Sequence, residues 1–287
     1  MARSAERDGV KVGPLTFAKV KAGTTHVGDN RGGWIHAGQR PRHEVRLPAF
    51  YVLESPLSAE DVASLSGLEK GEQKGAHDGV DAALLQRICA AVRPLVDEGL
   101  EVRPPSLAEW TMARESGVLK PKQGALEVLA DAPFSNHRGA PMDGRPRQGS
   151  GHGPLMEQLA CIEVHPHKIT ATATSSVPMD RPLPGTVLRL VLSPKRTTPP
   201  RTVPKQADRA ANLRIEALST LLIGVVPSFL IPVVRGFGSY ALEGWANLLF
   251  GGLVAGFVTG AVWRPRRPTV RWEDGEVQDD VERSVSQ

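Results

Sequence analysis

The stretch Ala217–Val234 reads ALSTLLIGVVPSFLIPVV, and Gly244–Trp263 reads GWANLLFGGLVAGFVTGAVW. Neither run contains a charged residue. As helices rising about 1.5 Å per residue, the two runs would extend roughly 27 and 30 Å. That length matches the hydrocarbon core of a bilayer. The sequence therefore predicts a C-terminal transmembrane helical hairpin; the alternative is a buried helical hairpin within a large soluble domain.

Basic residues flank both runs and set the expected orientation. The segment Lys195–Arg214 holds several of them against one acid, Asp208, and a second group follows the second run: Arg264, Arg266, Arg267 and Arg271. Because an excess of Lys and Arg stays on the cytoplasmic side, we expect both termini to be cytoplasmic. The protein is then a multi-pass protein of the cell membrane with a short outer loop.

Overall composition is consistent with a basic protein that contacts lipid. The net charge is +4, the isoelectric point is about 9.2 and the mean hydropathy is −0.21. Arginines close to the apolar runs suit anionic headgroups, and so modest a net charge argues against a nucleic-acid partner. Cys89 and Cys161 are the only cysteines, too few for a disulfide framework. The first fifteen residues contain no apolar core typical of a signal peptide.

The chain divides into a globular part and a membrane part. The expected segments are a flexible N-terminus (1–11), a mixed α+β domain (12–195), a Pro-rich basic linker (196–214), the first membrane helix (215–235), an outer loop (236–243), the second membrane helix (244–263) and a basic-then-acidic cytoplasmic tail (264–287). Within the domain, Ser58 with Asp61 predicts a helix start and Gly67 its end. A second helix is predicted near Asp81–Val96, and a third begins at Ser106.

Six short apolar stretches of the domain predict strands: Leu15–Val20, Glu44–Leu47, Tyr51–Leu53, Cys161–Val164, Ile169–Thr174 and Thr186–Leu192. Between about Lys120 and Pro154 the sequence is rich in Gly, Pro and Arg and predicts a long irregular loop. Loops of that length inside a domain are usually functional or disordered.

Four blocks in this domain resemble the formylglycine-generating enzyme (sulfatase-modifying factor) family. VKAGTTHVGD, from Val20, is similar to the family's GGTFxMG turn, and RPRHEVRLPAF, from Arg40, is similar to its RPxHxVxLxxF block. RPPSLAEW, from Arg103, resembles RLPTEAEWE, and VLRLVL, from Val187, occupies the place of GFRLV. The resemblance implies an α+β fold related to C-type lectins over roughly residues 12–195.

The departures from the family pattern bear on activity. The resemblance would place two cysteines, spaced C-x4-C, at a copper site that activates oxygen. Here Cys89 and Cys161 are far apart, and no GNVWEW or RGGSW block is present. We therefore expect no copper site, while calcium binding is implied by the resemblance alone. These departures favour a non-catalytic member of the family.

The loop Asp131–Pro154 is the expected recognition surface for an unidentified protein or small-molecule ligand. Its candidate binding residues are Asn136, His137, Arg138, Asp143, Arg145 and Arg147. No catalytic residue is predicted. His165 and His167 would share one strand face, with His137 and His152 in the loop before them, so a metal site is conceivable. Partly exposed polar histidines are the simpler interpretation, and we predict no metal.

Gly252, Gly256 and Gly260 form a GxxxGxxxG face on the second apolar run. Small residues at this spacing let helix backbones approach closely, either on the first run or between copies in a homo-oligomer. Three functions are therefore open. The first is a membrane-anchored binding module; the second is a divergent oxidase or metal-dependent enzyme; the third is an anchor or assembly protein acting through its spans.

Overall fold

The computed structural model describes residues 9–67, 75–149, 158–167, 172–206, 209–236, 238–239, 243–262 and 266–272. The strands are β1 (Gly9–Val12), β2 (Leu15–Val20), β3 (Gly23–Val27), β4 (His43–Leu47), β5 (Phe50–Leu53), β6 (Leu100–Arg103), β7 (Leu126–Val128), β8 (Gln158–Val164), β9 (Thr172–Pro178), β10 (Thr186–Val187) and β11 (Val191–Pro194). The helices are α1 (Ala59–Ser66), α2 (Ala82–Val92), α3 (Leu107–Glu115), α4 (Arg209–Thr220), α5 (Val226–Arg235) and α6 (Trp245–Val262).

Three sheets are formed by the described strands. The order β1-β2-β5-β11-β6 makes an antiparallel sheet, and β10-β7-β8-β9 makes a second sheet in which β10 and β7 are parallel. The ribbon β3-β4 is the third. The architecture is thus mixed α+β, followed by apolar helices at the C-terminal end.

Helix starts follow the predicted capping signals. Ser58 and Asp61 form a reciprocal capping box, and Gly67 ends α1 in the left-handed conformation at φ 68°. Ser106 and Glu109 form the same arrangement at α3, with Ser106 N donating to Glu109 at 2.8 Å and Glu109 N to Ser106 at 3.2 Å. Both starts are confirmed.

Apolar side chains fill two clusters on either side of the main sheet. One lies under α1 and α2 and includes Phe17, Ile88 and Leu190; the other lies under α3 and includes Phe50, Trp110 and Ile162. Each cluster takes its residues from distant parts of the chain. The domain therefore depends on contacts between those parts, and no single segment supplies a core of its own.

Some predicted boundaries differ from the structure. The stretch 186–192 is two strands in different sheets, because Leu188–Leu190 cross between β10 and β11. The last predicted strand before it lies at Thr172–Pro178 instead of 169–174, and 168–171 lie outside the described residues. The predicted long loop contains β7.

The segment predicted to be a linker packs on the domain. Thr202 forms a bridge with Pro141, Met142 N donates to the Arg201 carbonyl at 2.8 Å, and Val203 is completely buried. A helix begins at Arg209, earlier than the expected 215, and continues through a π-helical turn, Leu221–Val225, into α5. The prolines predict an extended spacer, but the side chain of Val203 is buried against the domain and holds the segment there.

Within the described residues, one helix, Leu213–Val234, is long and apolar enough to cross a membrane, with a mean hydropathy of 2.2. In α6 the apolar stretch found among the described residues, Trp245–Thr259, is shorter. Trp263 and Arg264 lie outside the described residues, as do half of the predicted outer loop and the acidic end of the tail.

Candidate functional site

The N-terminus of α3 organises the polar part of the domain. Arg103 donates two hydrogen bonds to the carboxylate of Glu109, at 2.6 and 3.0 Å, and Ser106 Oγ donates to the Gly144 carbonyl at 2.7 Å. Asp131 accepts from Leu107 N at 2.7 Å, so its carboxylate lies at the first free amide of the helix. The loop that follows Asp131 is therefore held against this helix end.

Asp131 also fixes the far end of the same loop. Its second carboxylate oxygen accepts a hydrogen bond from Arg147 N at 2.7 Å. Burial raises the pKa of Asp131 to about 6, and the two backbone donors only partly oppose that shift. One buried carboxylate thus closes a loop of some fifteen residues on itself.

The arginines predicted to bind a ligand are engaged with the protein itself. Arg147 donates to the carbonyls of Asn136 at 2.5 Å and Arg138 at 2.6 Å, and its guanidinium lies 5.2 Å from the Phe134 ring centre. Arg138 donates to the Gln206 carbonyl at 2.7 Å. These bonds hold the backbone of the loop in one conformation.

Asp143 and Arg145 form a second internal cluster. Arg145 donates to the Asp143 carboxylate at 2.9 and 2.6 Å and to the Thr198 carbonyl at 2.5 Å. Arg196 donates to the Asp143 carbonyl at 2.5 Å. The loop is therefore bonded to residues 196–198, at the start of the segment that the sequence predicts as a linker.

His43 and His137 form a buried pair beneath the loop. Their ring centres are 5.5 Å apart, and the His137 ring packs edge-on against Phe134 at 4.9 Å. His43 is 1% and His137 is 3% exposed. His43 Nδ1 lies 3.2 Å from the Pro41 carbonyl and donates to it. Burial, reinforced by the other histidine and by Arg147, lowers the pKa of His137 to about 3.

The pocket between these groups is small. His43, Asp131, Phe134, His137 and Arg147 contribute to its wall, and its volume is about 20 Å³. That is room for roughly one water molecule. Because burial also lowers the pKa of His43, both imidazoles are neutral at pH 7. The two neutral imidazoles thus line a small polar pocket beneath an ordered loop, together with the charged groups of Asp131 and Arg147.

The other predicted metal candidates are not in this site. β8 ends at Val164, so His165 and His167 follow the strand instead of sharing its face; both are exposed, with ring centres 6.0 Å apart. His152 lies outside the described residues. Across the described part of the chain, no three His, Cys, Asp or Glu side chains are grouped as metal ligands.

The two cysteines occupy apolar surroundings. Both are free and buried, Cys89 on α2 and Cys161 on β8. Burial raises the pKa of the Cys89 thiol to about 11 and that of Cys161 to about 12. Each is therefore a protonated thiol at neutral pH, a form that is a poor nucleophile and a poor metal ligand.

Sequence reasoning missed the most deeply buried charged group. Arg189, in the middle of VLRLVL, donates to both oxygens of Glu127 at 2.9 Å, and Trp110 Nε1 donates to the same carboxylate at 2.8 Å. Arg189 also donates to the carbonyls of Leu53 at 2.6 Å and Lys120 at 3.0 Å. An arginine inside an apolar stretch such as VLRLVL needs a buried acid, which is the signal that could have found Glu127.

Glycine residues bring the C-terminal helices together. A Cβ on Gly224 would come within 2.3 Å of the Gly252 carbonyl oxygen, and one on Gly256 within 3.2 Å of a Thr220 methyl group. Gly252 and Gly256 thus lie against the first apolar helix of the same chain. The outward faces of both helices remain apolar and exposed, with Leu222, Leu230, Phe250, Phe257 and Val258 among their residues. Gly260 belongs to α6, but its surroundings are outside the part of the structure that is described.

The chain returns to the domain after α6. Arg267 donates to the Glu216 carboxylate at 2.9 Å, and its backbone N donates to the Asn30 carbonyl at 2.7 Å. Val270 pairs with β4 beside His43, with Glu44 N donating to the Val270 carbonyl at 2.9 Å. The guanidinium groups of Arg46 and Arg201 each lie 5.4 Å from the centre of the Trp272 ring. The segment 266–272, called here the return segment, therefore ties the helical pair to the domain.

Comparison with solved structures identifies similarity at the level of fold. The structure of PvdO from Pseudomonas aeruginosa superposes with a TM-score of 0.51 and 13% sequence identity, covering 66% of this chain and 100% of that chain. Treponema denticola variable protein 1 gives a TM-score of 0.48 and 12% identity, covering 67% of this chain and 100% of that one. At 13% identity, the likeness to PvdO is one of fold alone. No family model and no curated protein matches the sequence.

Proposed function

We propose that this protein is a membrane-anchored binding module, in which a domain resembling formylglycine-generating enzymes is carried at the cytoplasmic face by a helical hairpin. The observation that carries the proposal is the packing of the two apolar helices. They meet through Gly224 and Gly252, and their remaining faces are apolar and open. A bilayer is the solvent that such faces match.

Ordering of the loop supports recognition as the role of the domain. Asp131 joins the two ends of the loop, and Arg147 is bonded to two backbone carbonyls within it. A surface that is ordered before binding loses less conformational entropy when a ligand arrives. The recognition surface is then the outer side of this loop, including Ser135 and Gln148, which are exposed. Its ligand is a protein or a small molecule.

The state of the two thiols gives little support to the alternative of a divergent oxidase. The family's copper site needs two thiolates close together, whereas Cys89 and Cys161 lie on different elements and are both protonated at neutral pH. Copper titration with an oxygen-consumption assay on a thiol peptide tests this directly. Tight stoichiometric copper binding with turnover would overturn the binding-module proposal in favour of an oxidase.

The glycine face of α6 packs within one chain, and this argues against the alternative of self-assembly through the spans. Gly252 and Gly256 already contact the first helix, which leaves less of that face for a second copy. A chain that sediments as a monomer in detergent supports this reading. A stable dimer that Gly256→Leu abolishes would favour the assembly alternative.

Topology can be tested with two single cysteine substitutions. Lys205→Cys lies before the first helix and Gly238→Cys lies between the helices. We expect a membrane-impermeant maleimide to label Gly238→Cys on intact cells and Lys205→Cys only after lysis. The native thiols should give little background because both are buried. Labelling of Lys205→Cys on intact cells would contradict the proposed orientation.

A further inference from the structure

A short 3₁₀ helix of the domain, Trp34–Gln39, lies beside the apolar helices and has no buried residue. Trp34 is 61% and Ile35 is 54% exposed, so two large apolar side chains point away from the core. The Trp34 ring centre lies 6.5 Å from that of Phe257 on α6. The apolar surface of the helical pair thus continues onto the domain at Trp34.

Three contacts place Trp34 at one end of the helical pair. Arg267, just after α6, binds Glu216, just before the first apolar run, so this ion pair marks the polar end of both helices. Thr220 lies against Gly256, one turn further in, and Trp34 lies against Phe257 at the same level. Phe257 is five residues before the end of α6, which is about 7–8 Å along a helix axis.

That depth matches the region where tryptophan is most stable in a membrane. The indole ring prefers the boundary between headgroups and acyl chains because it is apolar and carries one N–H donor. Apolar faces of interfacial helices lie about 5–10 Å into this boundary. Arg31, which pairs with Asp29, comes three residues before Trp34, and Arg266 follows α6; both side chains are exposed and suit anionic headgroups.

We infer that Trp34 and Ile35 form a third membrane contact, an interfacial wedge that inserts into the headgroup–acyl boundary of the bilayer beside α6. The inference rests on the proposed anchoring of the hairpin in a bilayer and adds a contact made by the domain itself. With the hairpin alone, the domain could rotate about the ends of two helices. The wedge fixes the face that the domain presents to the membrane.

The return segment makes this geometry rigid. Asn30, four residues before Trp34, accepts a hydrogen bond from Arg267 N. The segment that leads into the wedge is therefore bonded to the segment that follows α6. Val270 then pairs with β4. Wedge and hairpin are therefore connected through backbone hydrogen bonds as well as through the Trp34–Phe257 contact.

The test uses the full chain reconstituted in vesicles of phosphatidylcholine and phosphatidylglycerol with bromine atoms on the upper part of the acyl chains. Bromine quenches tryptophan fluorescence at short range. We expect the quenching to fall in Trp34→Phe relative to the native chain, and the difference is the share that belongs to Trp34. An aqueous quencher should show the opposite pattern, with Trp34 protected in vesicles.

A matched pair of variants separates the wedge from general effects of surface charge. Ile35→Glu places a carboxylate in the wedge, and Leu95→Glu places one on another short 3₁₀ helix, Arg93–Leu95, at a residue that is 53% exposed. Ile35→Glu should lose the Trp34 share of the quenching, whereas Leu95→Glu should keep it. Circular dichroism checks that both variants are folded.

The outcomes distinguish the wedge from the anchor. If the chain resists alkaline extraction from the vesicles but Trp34 is not quenched by bromolipid, the wedge is overturned and the anchor stands. If the chain is extracted, anchor and wedge fail together. If Trp34 is quenched equally in Ile35→Glu and in the native chain, the contact does not depend on Ile35, and a wedge formed by both side chains is overturned.

Discussion

Arg189 and Glu127 form an ion pair in which neither side chain is exposed at all. The carboxylate also accepts the indole N–H of Trp110, and the guanidinium donates to two backbone carbonyls. Every strong polar group in this cluster therefore has a partner, which is the condition for placing charges in a core. The cluster joins β7, α3 and the crossing between β10 and β11.

Removing one partner of this pair should unfold the domain under mild conditions. Arg189→Ala leaves the Glu127 carboxylate buried without its cation, at a cost of about 3–5 kcal/mol. Arg31→Ala is the control, because Arg31 pairs with Asp29 at 2.6 Å with a 59% exposed side chain, where ion pairs are worth little. Urea denaturation of the full chain in detergent measures both. Equal stability of Arg189→Ala and the control would contradict this account of the core.

Acid should destabilise the protein through the buried histidines. Burial holds the pKa of His137 at about 3, below the unfolded value of about 6.5. Between those values the unfolded chain binds a proton that the folded chain does not, so stability falls as pH falls from about 6.5 towards 3. His43, whose pKa is also lowered, contributes in the same direction.

Asp131 opposes this trend over part of the range. Because burial raises its pKa to about 6, the folded chain takes up a proton first, and this group favours folding as pH falls from about 6 to 4. Urea midpoints measured from pH 7.5 to 4 should therefore decline for the native chain and decline less for His137→Phe. An equal slope in the two chains would show that His137 is not buried as a neutral ring.

Cutting the link between the loop and α3 should loosen the loop. Asp131→Ala leaves the backbone amides of Leu107 and Arg147 without their acceptor, and each unsatisfied buried donor costs about 1–3 kcal/mol. Hydrogen exchange should rise in residues 131–149. Asp143→Ala is a useful comparison because it removes a side chain bonded to Arg145 without touching α3. Unchanged exchange in Asp131→Ala would contradict the role given to this carboxylate.

The two cysteines should resist alkylation in the folded chain. With thiol pKa values of about 11 and 12, both are almost fully protonated at pH 8, and both are buried. Iodoacetamide should modify neither over a period in which it modifies both after denaturation in urea. Mass spectrometry gives the count. Fast labelling of either native thiol would point instead to an activated cysteine.

Helix packing can be tested with neighbouring glycines. A Cβ on Gly252 would come within 2.4 Å of the Gly224 carbonyl oxygen, whereas one on Gly251 meets nothing within 4 Å. Gly252→Ala should therefore force the helices apart at a cost of about 1–3 kcal/mol, as overpacking does. Gly251→Ala should be neutral or slightly stabilising, because alanine favours helix. Thermal unfolding in detergent micelles compares the two; a similar midpoint for both would contradict the glycine contact.

Local signals in the sequence predict the structure correctly where a few neighbouring residues decide it. Ser58 with Asp61, and Ser106 with Glu109, specify helix starts because each pair satisfies backbone donors within one turn. An uncharged run of sufficient length was also enough to identify the helix over Leu213–Val234 as able to cross a membrane. The proposed orientation and the family resemblance remain predictions.

Tertiary structure decided everything that depends on which distant residues meet. The sequence by itself determined that the loop after Asp131 is rich in arginine, but only the fold showed that Arg147 and Arg138 bind backbone carbonyls. It also determined an arginine in VLRLVL and a glycine-rich apolar run, without naming Glu127 or Gly224 as their partners. The physical reason is that caps and apolar length are local properties of the chain. A buried charge, a ring contact or a close helix crossing depends on two segments whose meeting is fixed by the packing of the whole domain.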